Sequence, residues 1–219
     1  MSVVAAARSA ASGAHSRLDA YRDDGPLAMG LGRTLGPLVP VPAALLTALA
    51  GLPLIALLAI DGERVSREAL GVAVAWALLA GGVAAGRPDT GRFAWIVPPV
   101  LRLLEYGSLL ALAAVAEPNA VPACFALVAV LAFHHYDTVY RLRHQGADPP
   151  RWLSLAGGGW DGRMVLGYVL LLAGVARPGF FVAAILLGVV YAGESVSSWL
   201  RFNRSPRPAL YDDDEDEDE

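Results

Sequence analysis

Lysine is absent from this 219-residue chain, and all seventeen of its basic residues are arginine. Neither a Schiff-base lysine nor a phosphate-loop lysine can therefore operate in it. Cysteine occurs once, at Cys124 inside an apolar run, which excludes a disulfide framework and a paired-thiol metal site. Charge is scarce as well: 17 % of residues are charged, against about 25 % in an ordinary water-soluble domain. Hydrophobic residues make up 55 %, and mean hydropathy is +0.47. That balance points to lipid as the solvent. Residues 1–36 lack the long apolar core of a signal peptide. No Ser-His-Asp order, metalloprotease histidine pair or inverted repeat stands out. The small polar parts and acidic end argue against nucleic acid as a partner.

What charge there is lies unevenly. Residues 212–219 hold eight of the 21 acids, leaving a mildly basic body of 17 arginines against 13 acids. The run reads as a self-repelling disordered tail. Three regions follow: a cytoplasmic or juxtamembrane segment at 1–36, with a weak amphipathic pattern over 3–22; a membrane domain at 37–203; and the tail at 204–219. Within the membrane domain, apolar runs at 39–60, 69–86, 93–116, 119–140, 164–177 and 179–200 predict six transmembrane helices in an all-α polytopic bundle. The fifth run is short, so its helix is expected either to tilt or to begin upstream and draw in Trp160, Asp161 and Arg163. Arg177-Pro178-Gly179 reads as a tight hairpin into the sixth. With the N-terminus inside, thirteen arginines fall on the cytoplasmic side and three (Arg64, Arg67, Arg177) outside, while Arg102 lies within the third run. That bias predicts a multi-pass protein of the cell membrane with both termini cytoplasmic.

Ionisable residues inside membrane spans are costly, at about 2.5–3.5 kcal/mol each on insertion scales, and they mark candidate sites. Arg102, Glu105, Asp137 and Glu194 are such residues, with Asp161 and Arg163 at the entrance to the fifth run. All of them map to the same leaflet. Arg102 and Glu105 are spaced to pair along one helix. His134, Asp137 and Arg141 form one helical stripe, with Tyr136, Tyr140 and Arg143 beside it. A pocket built from them would offer the carboxylates of Asp137, Asp161 and Glu194, with His134 or His135 as a proton carrier. These are the candidate catalytic groups. Arg141, Arg143 and Arg163 are candidates for binding phosphate oxygens, and the carboxylates suit a divalent cation such as magnesium. The plainer alternative is an aromatic belt, positive-inside flanks and structural ion pairs. Gly157-Gly158-Gly159-Trp160-Asp161-Gly162-Arg163 lacks the lysine and the strand context of a phosphate loop, and reads as a flexible entrance to the fifth span.

The combination HYDTVYRLRHQG, PPRW, GGWDGR and a late GES resembles an actinobacterial family of uncharacterised membrane domains. Its members occur alone or fused behind nucleotidyltransferase and CDP-alcohol phosphatidyltransferase domains, and the resemblance spans about residues 20–203. It implies a neighbourhood of phospho-alcohol transfer to and from CDP-linked lipids. The signature of the phosphatidyltransferases themselves, Asp-x-x-Asp-Gly-x-x-Ala-Arg followed by two further aspartates, is present only as fragments at Asp137–Arg141 and Asp161–Arg163. A diverged relative or an accessory partner therefore fits better than the enzyme itself.

Three functions compete. The first is a membrane module in phospholipid or lipid-linked headgroup metabolism, catalytic or accessory, with membrane lipids and a phosphatidyltransferase-type enzyme as partners. The second is a non-enzymatic scaffold, and the third a small transporter. Oligomeric state is left open. The first requires the carboxyl of Asp137 to lie within about 8 Å of that of Asp161 or Glu194 around an open cavity, a gap that a shared cation or its waters can bridge. The second requires these acids dispersed, or neutralised by arginine in a closed core.

Overall fold

The structure is a computed structural model that describes residues 21–59, 65–87, 93–144 and 149–204. The acidic tail, Arg64, Arg92 and nearly all of the 3–22 pattern lie outside these residues. Every regular element among the described residues is helical: α1 Pro26–Leu35, α2 Ala43–Leu58, α3 Arg67–Ala85, α4 Val97–Ala116, α5 Ala120–His144, α6 Arg151–Ala156, α7 Gly159–Leu172 and α8 Ala176–Arg204, with short 3-10 turns at Gly36–Leu38 and Ala94–Ile96. The expected all-α class holds.

The expected number of spans does not. Four helical segments are long and apolar enough to cross a membrane: Arg67–Ala85, Ala94–Ala116, Ala120–His144 and Ala176–Arg204. A fifth arises only if Pro26–Leu38 and Ala43–Leu58, bent by 119°, count as one broken span. The apolar run at 39–60 concealed this bend. Prolines 40 and 42 disfavour helix in the residues before them, and the chain runs extended at Val39 and Pro42 before α2 begins. The run at 164–177 fails differently. Its helix does begin upstream, at Gly159, but it stops at Leu172 after fourteen residues, about 21 Å. The turn lies at residues 173–175, where Gly174 takes φ 68°. Arg177 and Pro178 do not form a hairpin; they belong to the first turn of α8, where the N–H that proline lacks would be unbonded in any case.

Helix α4 lies between two apolar clusters. On one side Leu101 and Leu104 join Ala50 and Leu54 of α2, Leu70 and Val74 of α3, and Trp160 and Met164 of α7. On the other, Leu109 and Ala113 join Leu127 and Leu131 of α5 and Phe180 and Ala184 of α8. The outer face of α8 leaves Phe181, Val182, Ile185, Leu186 and Val189 exposed. An apolar surface of this kind is compatible with contact with lipid chains and contrasts with the solvated face of a water-soluble helix.

The glycine-rich stretch before α7 is where the N-terminal segment docks. Gly158 and Gly159 have φ of 74° and 61°, a region that residues with a Cβ seldom adopt. A Cβ on Gly159 would strike the backbone of Gly25, and one on Gly25 would strike the Gly158 carbonyl. The two backbones touch because neither has a side chain there.

Candidate functional site

Two charged clusters form at one end of the bundle, and each joins elements far apart in the sequence. The first is centred on Asp23 and Arg163. Arg163, the fifth residue of α7, places Nη2 2.7 Å from Asp23 Oδ2 and Nε 2.5 Å from Glu105 Oε1 of α4. Its Nη1 also donates to the Gly157 carbonyl at 3.3 Å and to Tyr191 Oη at 3.4 Å. Arg102 pairs with Glu105 one turn along α4 at 2.7 Å, as the i, i+3 spacing predicts, and its Nη2 donates to the Arg22 carbonyl. Two buried carboxylates thus meet two guanidinium groups. Burial would push the Asp23 carboxyl up, but Arg163, with help from Arg102, reverses that and holds it well below the ordinary carboxylate value of 3.8. Asp23 also has φ 51°, a strained conformation for a residue with a Cβ, which the surrounding ion pairs hold in place.

His135 completes this cluster. Its Nε2 lies 2.5 Å from Arg102 Nη1 and 3.3 Å from Asp23 Oδ2, and its Nδ1 lies 2.6 Å from Tyr106 Oη. Arginine can only donate. A neutral His135 therefore accepts from Arg102 at Nε2 and carries its proton on Nδ1, where it donates to Tyr106. His135, and not its neighbour, is the histidine placed among the charges. His134 stacks on Tyr191 with ring centroids 4.0 Å apart.

Asp161 is engaged elsewhere. Its carboxylate accepts from the backbone N–H groups of Gly25 at 2.6 Å, Leu27 at 2.9 Å and Ala28 at 3.0 Å. Helix α1 has Pro26 at its first position and no capping side chain of its own from Gly25, so Asp161 supplies the missing N-terminal acceptor from α7. Beside it, Trp160 Nε1 donates to Asp24 at 2.8 Å and the Trp160 N–H to the Asp23 carbonyl at 3.1 Å.

The second cluster joins α5 to α8. One nitrogen of Arg141, Nη2, serves both Asp137 and Glu194, the latter at 2.5 Å. Ser195 Oγ donates to Asp137 Oδ1 at 3.0 Å, and Arg201 reaches Glu194 at 3.4 Å.

Of the residues expected to share one pocket, Asp137, Glu194 and Arg141 do come together. Arg163 sits in the other cluster, Asp161 serves as a helix cap, and Arg143 lies exposed on a cavity of its own. That cavity, about 480 Å³, is lined by Arg102, His135, Thr138 and Arg143 on its polar side and by Trp95 and Pro98 among its apolar walls. A smaller cavity of about 230 Å³ lies on the opposite side of α5, beside Asp137. Among the described residues no group of three or more His, Cys, Asp or Glu converges as metal ligands would. Sequence reasoning missed Asp23 and Tyr106. Arg22-Asp23-Asp24-Gly25-Pro26 reads only as a helix breaker, although acids just ahead of Gly-Pro are the one signal that a buried turn was there to be found.

The fold and these clusters define an all-helical protein, with helices compatible with a membrane, whose charges are gathered between its helices. The chain belongs to a family of unknown function (DUF5941), whose model matches residues 12–217. No curated protein and no solved structure matches it.

Proposed function

We propose that this chain is an integral protein of the cell membrane that binds phosphate-bearing lipid headgroups and serves phospholipid or lipid-linked headgroup metabolism as an accessory or diverged partner of a CDP-alcohol phosphotransferase. The observation that carries this reading is the larger cavity. Arg143, exposed and without an acid partner among the described residues, lines it together with Arg102, His135 and Thr138. A guanidinium, a hydroxyl and an imidazole over apolar walls suit a phosphate whose hydrocarbon continues into the bilayer. Arginine bias supports placing this end, and both termini, on the cytoplasmic side. The resemblance to actinobacterial domains that accompany phosphatidyltransferases supports the metabolic setting.

An accessory role is favoured over catalysis because Asp23 and Glu105 are matched by guanidinium groups, Asp161 by backbone donors, and Asp137 and Glu194 both contact Arg141. The same neutralisation favours the second reading, a scaffold whose buried ion pairs fix its helices.

The test is enrichment of phosphatidic acid over an uncharged diacylglycerol around the full-length protein in nanodiscs, followed by native mass spectrometry. Arg143→Gln is expected to reduce that enrichment about tenfold, the loss of one charge-assisted hydrogen bond. Equal enrichment of both lipids in the unaltered protein, or no change in the variant, would leave the scaffold reading standing.

A further inference from the structure

The smaller cavity has a different chemistry, and it supports an inference independent of the phosphate site. Its walls include Phe133, Tyr136 and Tyr140 of α5 and Trp199 of α8, and Asp137 opens onto it together with Arg141 and Ser195. We propose that it binds the ammonium group of a membrane-lipid headgroup.

Three observations lead there. First, four aromatic rings line one cavity. Ring faces are negative, and cages of Trp, Tyr and Phe are the usual recognition device for alkylated ammonium ions. Residues serving only as an interfacial belt would not need to share a cavity.

Second, the electrostatics favour a cation. The single charge of Arg141 is divided between Asp137 and Glu194. A second cation, Arg201, has a side chain 69 % exposed and stands 3.4 Å from Glu194, so solvent screens much of its effect there. Asp137 is the most open of the clustered acids at 17 %. Arg141 and Ser195 occupy two of its acceptor positions, and a carboxylate offers about four. Asp137 therefore keeps acceptor capacity toward the cavity, beside the Arg141 guanidinium that shares its wall.

Third, the depth is right. A helix crosses a hydrocarbon core about 30 Å thick in about 20 residues. Counted from its first residue, Ala120, α5 leaves that core close to Tyr140; counted from Ala176, α8 leaves it close to Ser195. The two walls reach the headgroup layer together. At roughly 30 Å³ per water, a cavity of about 230 Å³ takes a group of several heavy atoms, the size of a substituted ammonium.

The occupant is thus a lipid ammonium headgroup, held by aromatic faces and by Asp137. The larger cavity across α5 selects for the opposite charge, so the two sites fail separately. The experiment titrates the full-length protein, in a detergent without nitrogen, with tetramethylammonium and with its neutral isostere tert-butanol. Binding is followed by saturation-transfer NMR. The protein is expected to bind the cation and not the alcohol. Tyr140→Leu combined with Trp199→Leu is expected to weaken binding at least tenfold, and Tyr140→Phe to preserve it. These side chains are half exposed, so their loss leaves the bundle folded, which circular dichroism checks. Asp137→Asn should weaken binding to a similar extent, whereas Arg143→Gln in the larger cavity should not. Equal binding of cation and alcohol, or undiminished binding in the leucine double variant, overturns the proposal. A second arm adds a phosphocholine-headgroup lipid as competitor against phosphatidylglycerol. Displacement of the probe by the former alone supports the lipid assignment, and displacement by neither overturns it in favour of a free soluble amine.

Discussion

Among single residues, Asp23 shows best how context sets chemistry. Its carboxylate is buried, which alone disfavours charge, yet Arg163 and Arg102 beside it keep it ionised. A carboxyl whose value is lower in the folded state than in the unfolded chain stabilises the fold above the unfolded value. That contribution fades as pH drops toward the folded one. The unaltered protein should therefore hold its thermal stability from neutral pH down to about the ordinary carboxylate value of 3.8 and lose it below. Asp23→Asn should be less stable at neutral pH and converge with the unaltered protein under acid. Parallel melting curves at all pH values would show that the charge of Asp23 carries no weight. Little of this residue's role could be read in advance. An aspartate before Asp-Gly-Pro announces a turn, but its partners on α4, α5 and α7 are supplied only by tertiary folding. Arg102 and Glu105 were legible because their pairing is local to one helix.

Among elements, α1 depends on a distant residue for its start. A helix beginning at proline leaves its next N–H groups unmatched, and Asp161 accepts from two of them and from Gly25. Asp161→Ala should cost at least about 2 kcal/mol, a lost cap plus buried donors left without acceptors. Asp161→Asn, which keeps one carbonyl oxygen, should cost less. Thermal denaturation in one detergent, with both variants side by side, measures the difference, and two unaltered midpoints would dismiss the cap. From sequence, Asp161 looks like a site acid because it stands at the entrance to the fifth apolar run, on the same leaflet as the other ionisable residues. Nothing local shows that it faces a helix start more than a hundred residues away. The interiors of the helices were legible for a simpler reason, since long apolar runs report directly on burial in protein or lipid. Bends were not. Runs 39–60 and 164–177 keep their hydropathy through breaks that depend on the backbone angles at Val39, Pro42 and Gly174.

For the whole molecule, the distribution of apolar surface sets behaviour. Helix α8 is the least covered of the four long helices, with 22 % of its most apolar window buried inside the bundle. The remainder needs an apolar environment. The chain should stay with the membrane fraction through an alkaline carbonate wash and be released only by detergent, as immunoblotting of the fractions would show. Release by carbonate would mean that a partner protein, and not lipid, covers α8. At this scale the hydrophobic composition and the shortage of charge were already decisive. The gathering of charges at one end was legible too, because placing Arg102, Asp137, Arg163 and Glu194 along alternating helices put them at one level. Their division into two clusters on either side of α5 was not, since it depends on the rotation of each helix about its own axis.

The clasp between Asp161 and α1 also bears on how the protein is made. Gly25 and Asp161 are 136 positions apart, so the ribosome has delivered most of the bundle before the group that closes the first helix emerges. Until then the start of α1 lacks its acceptor, and only earlier contacts such as that of Arg102 with the Arg22 carbonyl hold the segment. Completion of its anchoring is consequently a late event in biogenesis, and nascent chains halted ahead of the triple glycine would hold their leading end less firmly, more open to proteases and chaperones.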